Sequence, residues 1–234
     1  MNISENVARV RAEIAAAAIA AGRDPKEILL VAATKMNDAR RVREAIAAGV
    51  DVCGENRVQE MLEKNAQGAY AGVPLHFIGH LQKNKVRQVV GLASLIHGVD
   101  STALLEAISR EAQKRSIRQD VLLEVNIGAE PSKSGFAPEE IPAALEAASG
   151  FGGIFVRGLM AIPPICASPD ENRPFFLAMR KLFVDNGIKK YDNVSMDFLS
   201  MGMSGDFAEA IACGANMVRV GTAIFGPRDY HRET

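Results

Sequence analysis

Ile28-Leu-Leu-Val-Ala-Ala-Thr-Lys35 is a short apolar run that closes with two polar residues. Residues 38–48 follow it with the apolar spacing of an amphipathic helix, and Gly49 marks the end of that segment. A buried strand followed by a helix is the repeating unit of a parallel α/β fold. If this fold is present, the rest of the chain should repeat the same pair.

The alternation does recur along the chain. Apolar runs that predict further strands occupy residues 50–56, 75–79, 94–100, 121–127, 155–162, 196–203 and 217–226. An additional amphipathic helix is predicted ahead of the first unit, over about residues 3–22. About eight strand–helix units predict a (β/α)8 TIM barrel that forms a single domain over residues 1–234. An open doubly wound sheet is the alternative, but the first turn lacks the G-x-G-x-x-G pattern of dinucleotide-binding sheets.

Composition and charge disfavour several classes of partner. The chain has 27 basic and 28 acidic residues, and a net charge of -1 offers no field that would attract nucleic acid or a membrane surface. No apolar stretch approaches the length of a membrane span. Cys53, Cys166 and Cys213 are too few and too scattered for a disulfide framework, so they predict reduced thiols and a cytoplasmic protein. Glu5 and Glu13 are out of place in a secretory signal.

Lys35 is the first candidate functional residue, because activity in such a barrel lies at the C-terminal ends of the strands. Alternation assigns its side chain to the face of Val31 and Ala33. If that face is the barrel interior, partial desolvation lowers the pKa of the amine and frees its lone pair for attack on an aldehyde. A lysine that extends from a strand end into solvent is an equally good interpretation of the position alone.

Two loops late in the sequence suit a phosphate group. Leu199-Ser-Met-Gly-Met-Ser-Gly205 places hydroxyls and small residues before a helix, and Gly221-Thr222 follows the apolar core of the last strand. Backbone N–H groups, a hydroxyl and a helix N-terminus together bind an anion, and the loops after strands seven and eight are the usual phosphate position in this barrel. Tight turns and helix capping explain each loop separately, but they do not explain why both lie in that position.

Arg219 shares a strand face with Met217 and Gly221, so it points inward if Gly221 approaches a ligand. A buried guanidinium needs an acceptor, which is either a ligand or an interior acid such as Glu124. Both interpretations remain open at this point.

Weaker candidates complete the set. Glu55-Asn56 could reach the polar edge of a ligand, although an Asx turn explains the asparagine as well. His76, His80 and His97 lack metal-type spacing and are interpreted as core or strand-end histidines, so no metal is assigned.

The sequence closely resembles the pyridoxal phosphate homeostasis proteins, the YggS/PROSC family, which share the barrel of the alanine racemase N-terminal domain. The resemblance runs nearly end to end. It is carried by Ala33-Thr-Lys35, Gly54-Glu-Asn-Arg-Val-Gln-Glu60, His76-Phe-Ile-Gly-His-Leu-Gln-Lys-Asn-Lys85, Ser132-Lys-Ser-Gly135, Arg157-Gly-Leu-Met-Ala-Ile162, Leu199-Ser-Met-Gly-Met-Ser204 and Val218-Arg-Val-Gly-Thr-Ala-Ile-Phe-Gly226.

The resemblance implies a pyridoxal 5′-phosphate (PLP) cofactor bound covalently to Lys35. It also implies that Arg219 faces the pyridine nitrogen and that Asn56 lies beside the ring. The implied phosphate contacts are Ser200, Met201, Ser204, Gly221 and Thr222. Many bacterial relatives have Lys-Thr-Lys-Pro at the first site, where this chain has Lys35-Met-Asn-Asp38, so a role for that second lysine in passing PLP onward is in doubt. Lys133 is retained as a candidate secondary acceptor.

Three functions would use Lys35: a PLP carrier or homeostasis protein, a PLP-dependent amino-acid racemase or decarboxylase, and a Schiff-base aldolase. An arginine at the pyridine nitrogen leaves it unprotonated, which weakens carbanion chemistry, although related racemases tolerate such an arginine. The chain ends at Thr234, soon after the last strand, so we expect it to lack the β domain that gives those racemases a second base. An aldolase would need an acid–base pair that the sequence does not offer. The preferred function is therefore a non-catalytic, monomeric PLP carrier with transient contacts to apo-PLP enzymes.

Overall fold

The computed structural model describes residues 2–164, 168–188 and 190–227. Its strands in chain order are β1 (Leu29–Ala33), β2 (Val52–Glu55), β3 (Leu75–His80), β4 (Leu95–Val99), β5 (Gln119–Val125), β6 (Ile154–Ala161), β7 (Val194–Ser200) and β8 (Met217–Val220). All neighbouring pairs are parallel, and β8 pairs with β1 to close the barrel. The predicted (β/α)8 barrel is therefore confirmed.

Helices surround this barrel. They are α1 (Ile3–Ala20), α2 (Ala39–Ala47), α3 (Val58–Ala66), α4 (Val86–Val89), α5 (Thr102–Lys114), α6 (Ile141–Ser149), α7 (Arg173–Asn186), α8 (Phe207–Ala212) and α9 (Thr222–Phe225). Short 3-10 turns lie at Pro25–Glu27, Lys83–Lys85, Pro138–Glu140 and Pro169–Asn172. Within the described ranges, none of the helices combines the length and the apolar character that crossing a bilayer requires.

The additional N-terminal helix is confirmed as α1. Asn2 and Glu5 form a reciprocal capping box at its start, in which the Asn2 side chain accepts from the Glu5 N–H at 2.8 Å. Gly22, with a φ of 69°, lies just past its end. The side chains of Val7, Val10 and Ile14 form the buried face of the helix, which explains why it packs on the barrel.

The predicted end of the last strand is wrong. The apolar run at residues 217–226 was predicted to be strand throughout, but β8 ends at Val220. The N–H groups of Ile224 and Phe225 both bond to the carbonyl of Gly221 at 2.9 Å, so residues after Gly221 turn into α9. This short apolar helix could not be distinguished from strand by hydrophobicity alone, because both bury the same residue types.

Two apolar cores hold the barrel together. The larger one lies between the sheet and the helices, and the smaller one fills the barrel interior. The interior cluster consists of Val31, Val52, Leu95, Leu122, Met160 and Met217, packed with Leu29, Ile78 and Phe198. Because Val31 belongs to the interior cluster, the inward face of β1 is the face to which alternation assigned Lys35.

The N-terminal half of the barrel interior is polar as well. Arg157 on β6 bonds to Asp197 at 2.6 Å and to Asp120 at 3.1 Å, and its guanidinium lies over the rings of Phe155 and Phe198. Burial raises the pKa of Asp120, while Arg157 opposes the shift. Asp120 is the second residue of β5, so this ion cluster lies on the side of the barrel opposite the strand C-termini.

Candidate functional site

Lys35 lies at the C-terminal mouth of the barrel, two residues beyond the end of β1. The residue is partly buried. Met36, which follows it, has a φ of 60°, a left-handed conformation that is uncommon for a residue with a side chain. The Asn37 side chain donates to the Lys35 carbonyl at 2.9 Å. Lys35 therefore stands on a tight turn at the rim.

The turn after β8 is the neighbour of the Lys35 turn, because β1 and β8 are hydrogen-bonded strands. Val31 pairs with Arg219 and Ala32 pairs with Val220 in this ladder. A Cβ built on Gly221 would lie 3.4 Å from the Cβ of Ala33. The structure therefore brings the Lys35 turn and the Gly221 turn side by side at one edge of the mouth.

Ser204 connects the two loops for which phosphate binding was predicted. Its hydroxyl oxygen accepts from the N–H of Gly221 at 3.2 Å and from the N–H of Ala223 at 3.3 Å. Thr222, between these amides, is exposed. Among the described residues, Ser204, Gly221 and Thr222 thus form one cluster of hydroxyls and backbone donors, which can bind an oxyanion.

Ser200 and Met201, which were predicted beside the same phosphate, make contacts within the protein. Both are fully buried. The Ser200 hydroxyl lies inside the barrel, where it contacts Arg219 and His97. The Met201 N–H bonds to the Met217 carbonyl at 3.1 Å, and its side chain joins the core outside the barrel wall. The protein itself therefore occupies the polar groups through which these residues were expected to contact phosphate.

Arg219 points across the barrel interior and is 4% exposed. Its guanidinium donates to the Ser200 hydroxyl at 2.6 Å and to the Ala161 carbonyl at 3.0 Å. Burial lowers its pKa to about 10, so the group remains a cation at neutral pH. In the part of the chain that the structure describes, no carboxylate lies within ion-pair distance of it, so the direct salt bridge to Glu124 considered from the sequence is not formed.

A chain of hydrogen bonds continues from Arg219 through Ser200 into a histidine pair. His97 Nδ1 lies 3.1 Å from the Ser200 hydroxyl, and His97 Nε2 lies 2.9 Å from His76 Nδ1. Burial lowers the pKa of His76 to about 4 and that of His97 well below its usual value. Both rings are therefore neutral near pH 7, which agrees with their interpretation as core histidines.

His80, the third histidine at this end, pairs with Asp100 at 2.9 Å on the surface. No group of metal-binding side chains is present among the described residues.

Lys133, the candidate secondary acceptor, bonds to the Pro163 carbonyl at 3.1 Å and pairs with Glu130 at 2.8 Å. Cys166 lies outside the described residues, while Cys53 and Cys213 are free and buried.

Several buried side-chain oxygens among the described residues have no hydrogen-bond partner, including those of Glu55, Asn56 and Glu124. Asn56 Oδ1 and Glu124 Oε2 are both buried and unsatisfied. Burial and the neighbouring Asp100 raise the pKa of the Glu124 carboxyl. An orphaned acceptor is costly in a folded protein, so each atom can accept a hydrogen bond from a ligand or an ordered water.

Glu55 uses one of its two carboxylate oxygens on the protein, while its Oε2 atom is buried without a hydrogen-bond partner. Its Oε1 atom contacts the Thr34 hydroxyl, Lys64 Nζ and the Tyr70 hydroxyl at 2.5, 2.7 and 3.1 Å. Burial and this carboxylate raise the pKa of Tyr70, which keeps the phenol neutral. The sequence indicated Glu55 as a possible ligand contact but did not indicate that Lys64 and Tyr70 would bond to it. The spacing of Glu60 and Lys64, four residues apart on one helix, was the available signal.

Comparisons with known proteins identify the family of this chain. The model of the alanine racemase N-terminal domain family matches residues 3–229. A pyridoxal phosphate homeostasis protein of Pseudomonas aeruginosa is 43% identical over 228 residues, which cover 97% of this chain and 96% of that protein. A protein of the same name from Aquifex aeolicus is 41% identical over 230 residues, covering 98% and 100% of the two chains.

A solved structure of PipY from Synechococcus elongatus, described as having PLP bound, superimposes with a TM-score of 0.83. It is 33% identical to this chain, and the match covers 96% of this chain and 100% of PipY. Similarity over the full length at this level, together with the closed barrel and the family match, shows that this chain and these proteins belong to one family and do not merely share a fold. The chain belongs to the alanine racemase N-terminal domain family and, within it, to the pyridoxal phosphate homeostasis proteins.

Proposed function

We propose that this chain binds PLP as a Schiff base on Lys35 and carries or buffers it for intracellular vitamin B6 homeostasis, without dedicated catalysis. The observation that supports this best is the contact between two neighbouring strand ends. Lys35 follows β1, the Gly221 turn follows β8, and Gly221 lies against Ala33. A lysine and an anion-binding turn on two neighbouring strand ends suit a small aldehyde that carries a phosphate.

The phosphate fits the cluster of Ser204, Gly221 and Thr222. The Ser204 oxygen accepts from two backbone N–H groups, and a phosphate oxygen could take up the same donors. Ser200 and Met201, from the same loop as Ser204, remain part of the proposed phosphate site. Ser200 holds Arg219 through a 2.6 Å hydrogen bond, and Met201 packs in the core beneath the loop.

The pyridine ring fits between Arg219 and Asn56. Arg219 remains positively charged and uses two of its donors on the protein, which leaves others to face a ring nitrogen. Asn56 Oδ1 is a buried acceptor without a partner, as expected beside a ligand that brings a donor. A cationic donor at the nitrogen keeps the ring neutral and limits its strength as an electron sink.

Bound PLP would supply an electrophilic aldehyde. In its unprotonated form the Lys35 amine would add to the aldehyde carbon and form a C=N bond, and the aldehyde oxygen would leave as one molecule of water. The reverse reaction with water frees both partners, so storage and release need no further reagent. This reversibility suits a carrier or buffer whose indirect beneficiaries are other PLP enzymes.

Racemase and decarboxylase activities are the alternative, and a Schiff-base aldolase is third. The buried histidines His76 and His97 are neutral and bonded to each other, so they are poor candidates for a second catalytic base.

We propose a monomer of one PLP-binding domain, in the cytoplasm, with transient contacts to apo-PLP enzymes. The two described cysteines, both free and buried, are consistent with a reducing compartment.

Absorbance spectroscopy tests PLP binding. Purified protein incubated with PLP should develop the visible band of a protonated Schiff base, and Lys35→Ala should lack it. A chain that stays colourless, or a Lys35→Ala variant with the same band, would contradict the proposal.

Assays of racemisation and decarboxylation across the common amino acids separate a carrier from an enzyme. Turnover on the order of 1 per second or faster, in the range of ordinary enzymes, would favour the enzyme. The carrier function predicts turnover far below that range.

A further inference from the structure

A buried cluster of charges lies between the Lys35 turn and helix α3. It consists of Glu55 at the end of β2 and of Glu60 and Lys64 on α3. Lys64 Nζ lies 2.7 Å from Glu55 Oε1 and 3.2 Å from Glu60 Oε2. The side chains of Lys64 and Glu55 are 9% and 0% exposed, and that of Glu60 is 20% exposed. The cluster is therefore largely shielded from solvent.

The residue before Lys35 is bound to this cluster twice. The Thr34 hydroxyl donates to Glu55 Oε1 at 2.5 Å, and Lys64 Nζ donates to the Thr34 carbonyl at 2.8 Å. The Thr34 N–H donates to the Gly54 carbonyl at 2.9 Å. The chain is thus fixed on β2 and α3 immediately before the lysine.

The residue after Lys35 is bound to the same cluster. The Met36 N–H donates to Glu60 Oε2 at 2.7 Å. Met36 holds a φ of 60°, and a non-glycine residue persists in that region when its surroundings fix it there. The bond to Glu60 supplies that constraint and directs the turn that carries Lys35.

Stabilisation of the fold alone is a weak explanation for such a cluster. Removing three charged groups from water is unfavourable, and apolar residues of similar size commonly serve a core as well or better. Here Lys64 and Glu60 bond to the backbone of Thr34 and Met36. Glu55 accepts from the Thr34 hydroxyl, and these two bonded residues flank the lysine. These contacts are therefore suited to fixing the direction of the Lys35 side chain.

We propose that Glu55, Glu60 and Lys64 are positioning residues that hold the Lys35 amine in the direction needed for reaction with an aldehyde at the barrel mouth. This inference rests on the proposed role of Lys35. Contact between Asn56 and a ligand would not explain why Glu55, Glu60 and Lys64 are present. The positioning role explains these three residues.

Glu60→Ala is the direct test, because Glu60 lies at the edge of the cluster and its removal leaves the Lys64–Glu55 pair intact. Glu60→Gln is the rescue variant, since its side-chain oxygen can still accept from the Met36 N–H. Glu63→Ala is the matched control, because Glu63 is exposed on the same helix and bonds to Gln59. Each variant is compared by the rate at which the Schiff-base band grows with PLP.

A second ligand, 4′-deoxypyridoxine 5′-phosphate, separates positioning from general damage because it has no aldehyde. Glu60→Ala should slow Schiff-base formation about tenfold or more, as expected for a misdirected reacting group, while affinity for the deoxy compound stays within about twofold of wild type. Glu60→Gln should recover most of the rate, and Glu63→Ala should match wild type.

Three results would overturn the inference. An unchanged rate in Glu60→Ala would do so, and so would an equal loss for both ligands, which indicates general damage to the site. Wild-type protein that forms no Schiff base on Lys35 would instead remove the proposed function and the positioning role with it. The double variant Glu55→Gln/Lys64→Met, which keeps the buried pair neutral, should repeat the Glu60→Ala result once circular dichroism shows that it is folded.

Discussion

Gly221 lies against Ala33, so close that a Cβ at Gly221 would stand 3.4 Å from the Cβ of Ala33. This contact joins the last strand of the barrel to the first and brings the Ser204–Gly221 donors beside the Lys35 turn. Barrel closure therefore assembles the site from residues nearly two hundred positions apart in the sequence. The predictions below follow from this arrangement and from the buried groups around it.

Thr222→Ala should weaken binding of PLP about tenfold or more, because a hydrogen bond to a charged phosphate contributes roughly 1.5–3 kcal/mol. Binding of pyridoxal, which has no phosphate, should change little. Thr222→Ser keeps the hydroxyl and serves as the control. Titration calorimetry with both ligands measures the difference, and an equal loss for PLP and pyridoxal would place the phosphate elsewhere.

Arg219→Ala should weaken PLP retention while the barrel still folds. The substitution removes a buried cation that no carboxylate pairs with among the described residues, so the cost to stability is limited. The rate of PLP loss on dialysis measures retention, and thermal melting monitors the fold. Retention equal to that of wild type would show that Arg219 does not face the cofactor.

Asn56→Ala should lower PLP affinity without lowering the stability of the ligand-free protein. The Asn56 Oδ1 atom is buried without a partner, so its removal relieves an unfavourable contact in the free chain. Urea unfolding of the ligand-free variant and PLP titration measure the two effects separately. A large loss of ligand-free stability would indicate that Asn56 is structural instead.

Acid should destabilise the barrel between about pH 6.5 and pH 4 through the histidine pair. The pKa of His76 is lowered to about 4 in the folded state, below its value of 6.5 when exposed, so the unfolded chain binds more protons in this window. The contribution of His76 to the free energy of unfolding is fully present above pH 6.5 and is lost as the pH falls to about 4. The loss is about 3 kcal/mol, because each unit of pKa difference corresponds to about 1.36 kcal/mol.

Urea unfolding of wild type and His76→Asn across that pH range measures this loss. Asparagine can still accept from His97 through its side-chain oxygen, and it does not titrate. The variant should therefore show a shallower decline of unfolding free energy below pH 6.5. Parallel curves for the two proteins would mean that His76 titrates normally.

Arg157→Ala should affect stability and leave PLP binding unchanged. Arg157 pairs with Asp120 and Asp197 in the N-terminal half of the barrel, opposite the proposed site. These groups are partly exposed, so we expect a loss on the order of 1 kcal/mol and a Tm about 2–4 °C lower. A reduced PLP affinity at unchanged stability would contradict the assignment of function to the other end.

Much of the fold was predictable because buried parallel strands are recognisable as short apolar runs. The run before Lys35 and its repeats gave the strand count and placed the lysine at a strand end. The end of β8 was not predicted correctly because the residues of Thr222–Phe225 suit a buried strand and a buried helix equally well. Only the hydrogen bonds to the Gly221 carbonyl show that this segment is a helix.

The interior of the site was less predictable, because its contacts join residues distant in sequence. The Ser200 hydroxyl bonds to Arg219 and to His97 on β4, and neither contact was predicted from the loop sequence. Lys64 is 30 residues from Thr34 in the chain, and their contact arises when β1, β2 and α3 pack together. Local spacing carries no signal for such pairs.

Peptide mapping after borohydride reduction tests the central claim most directly. Protein equilibrated with PLP, reduced and digested should carry a phosphopyridoxyl group on the peptide that contains Lys35, and Lys35→Ala should leave that peptide unlabelled. A label found predominantly at another lysine such as Lys133, or no label after reduction, would contradict the claim that the barrel mouth holds PLP on Lys35.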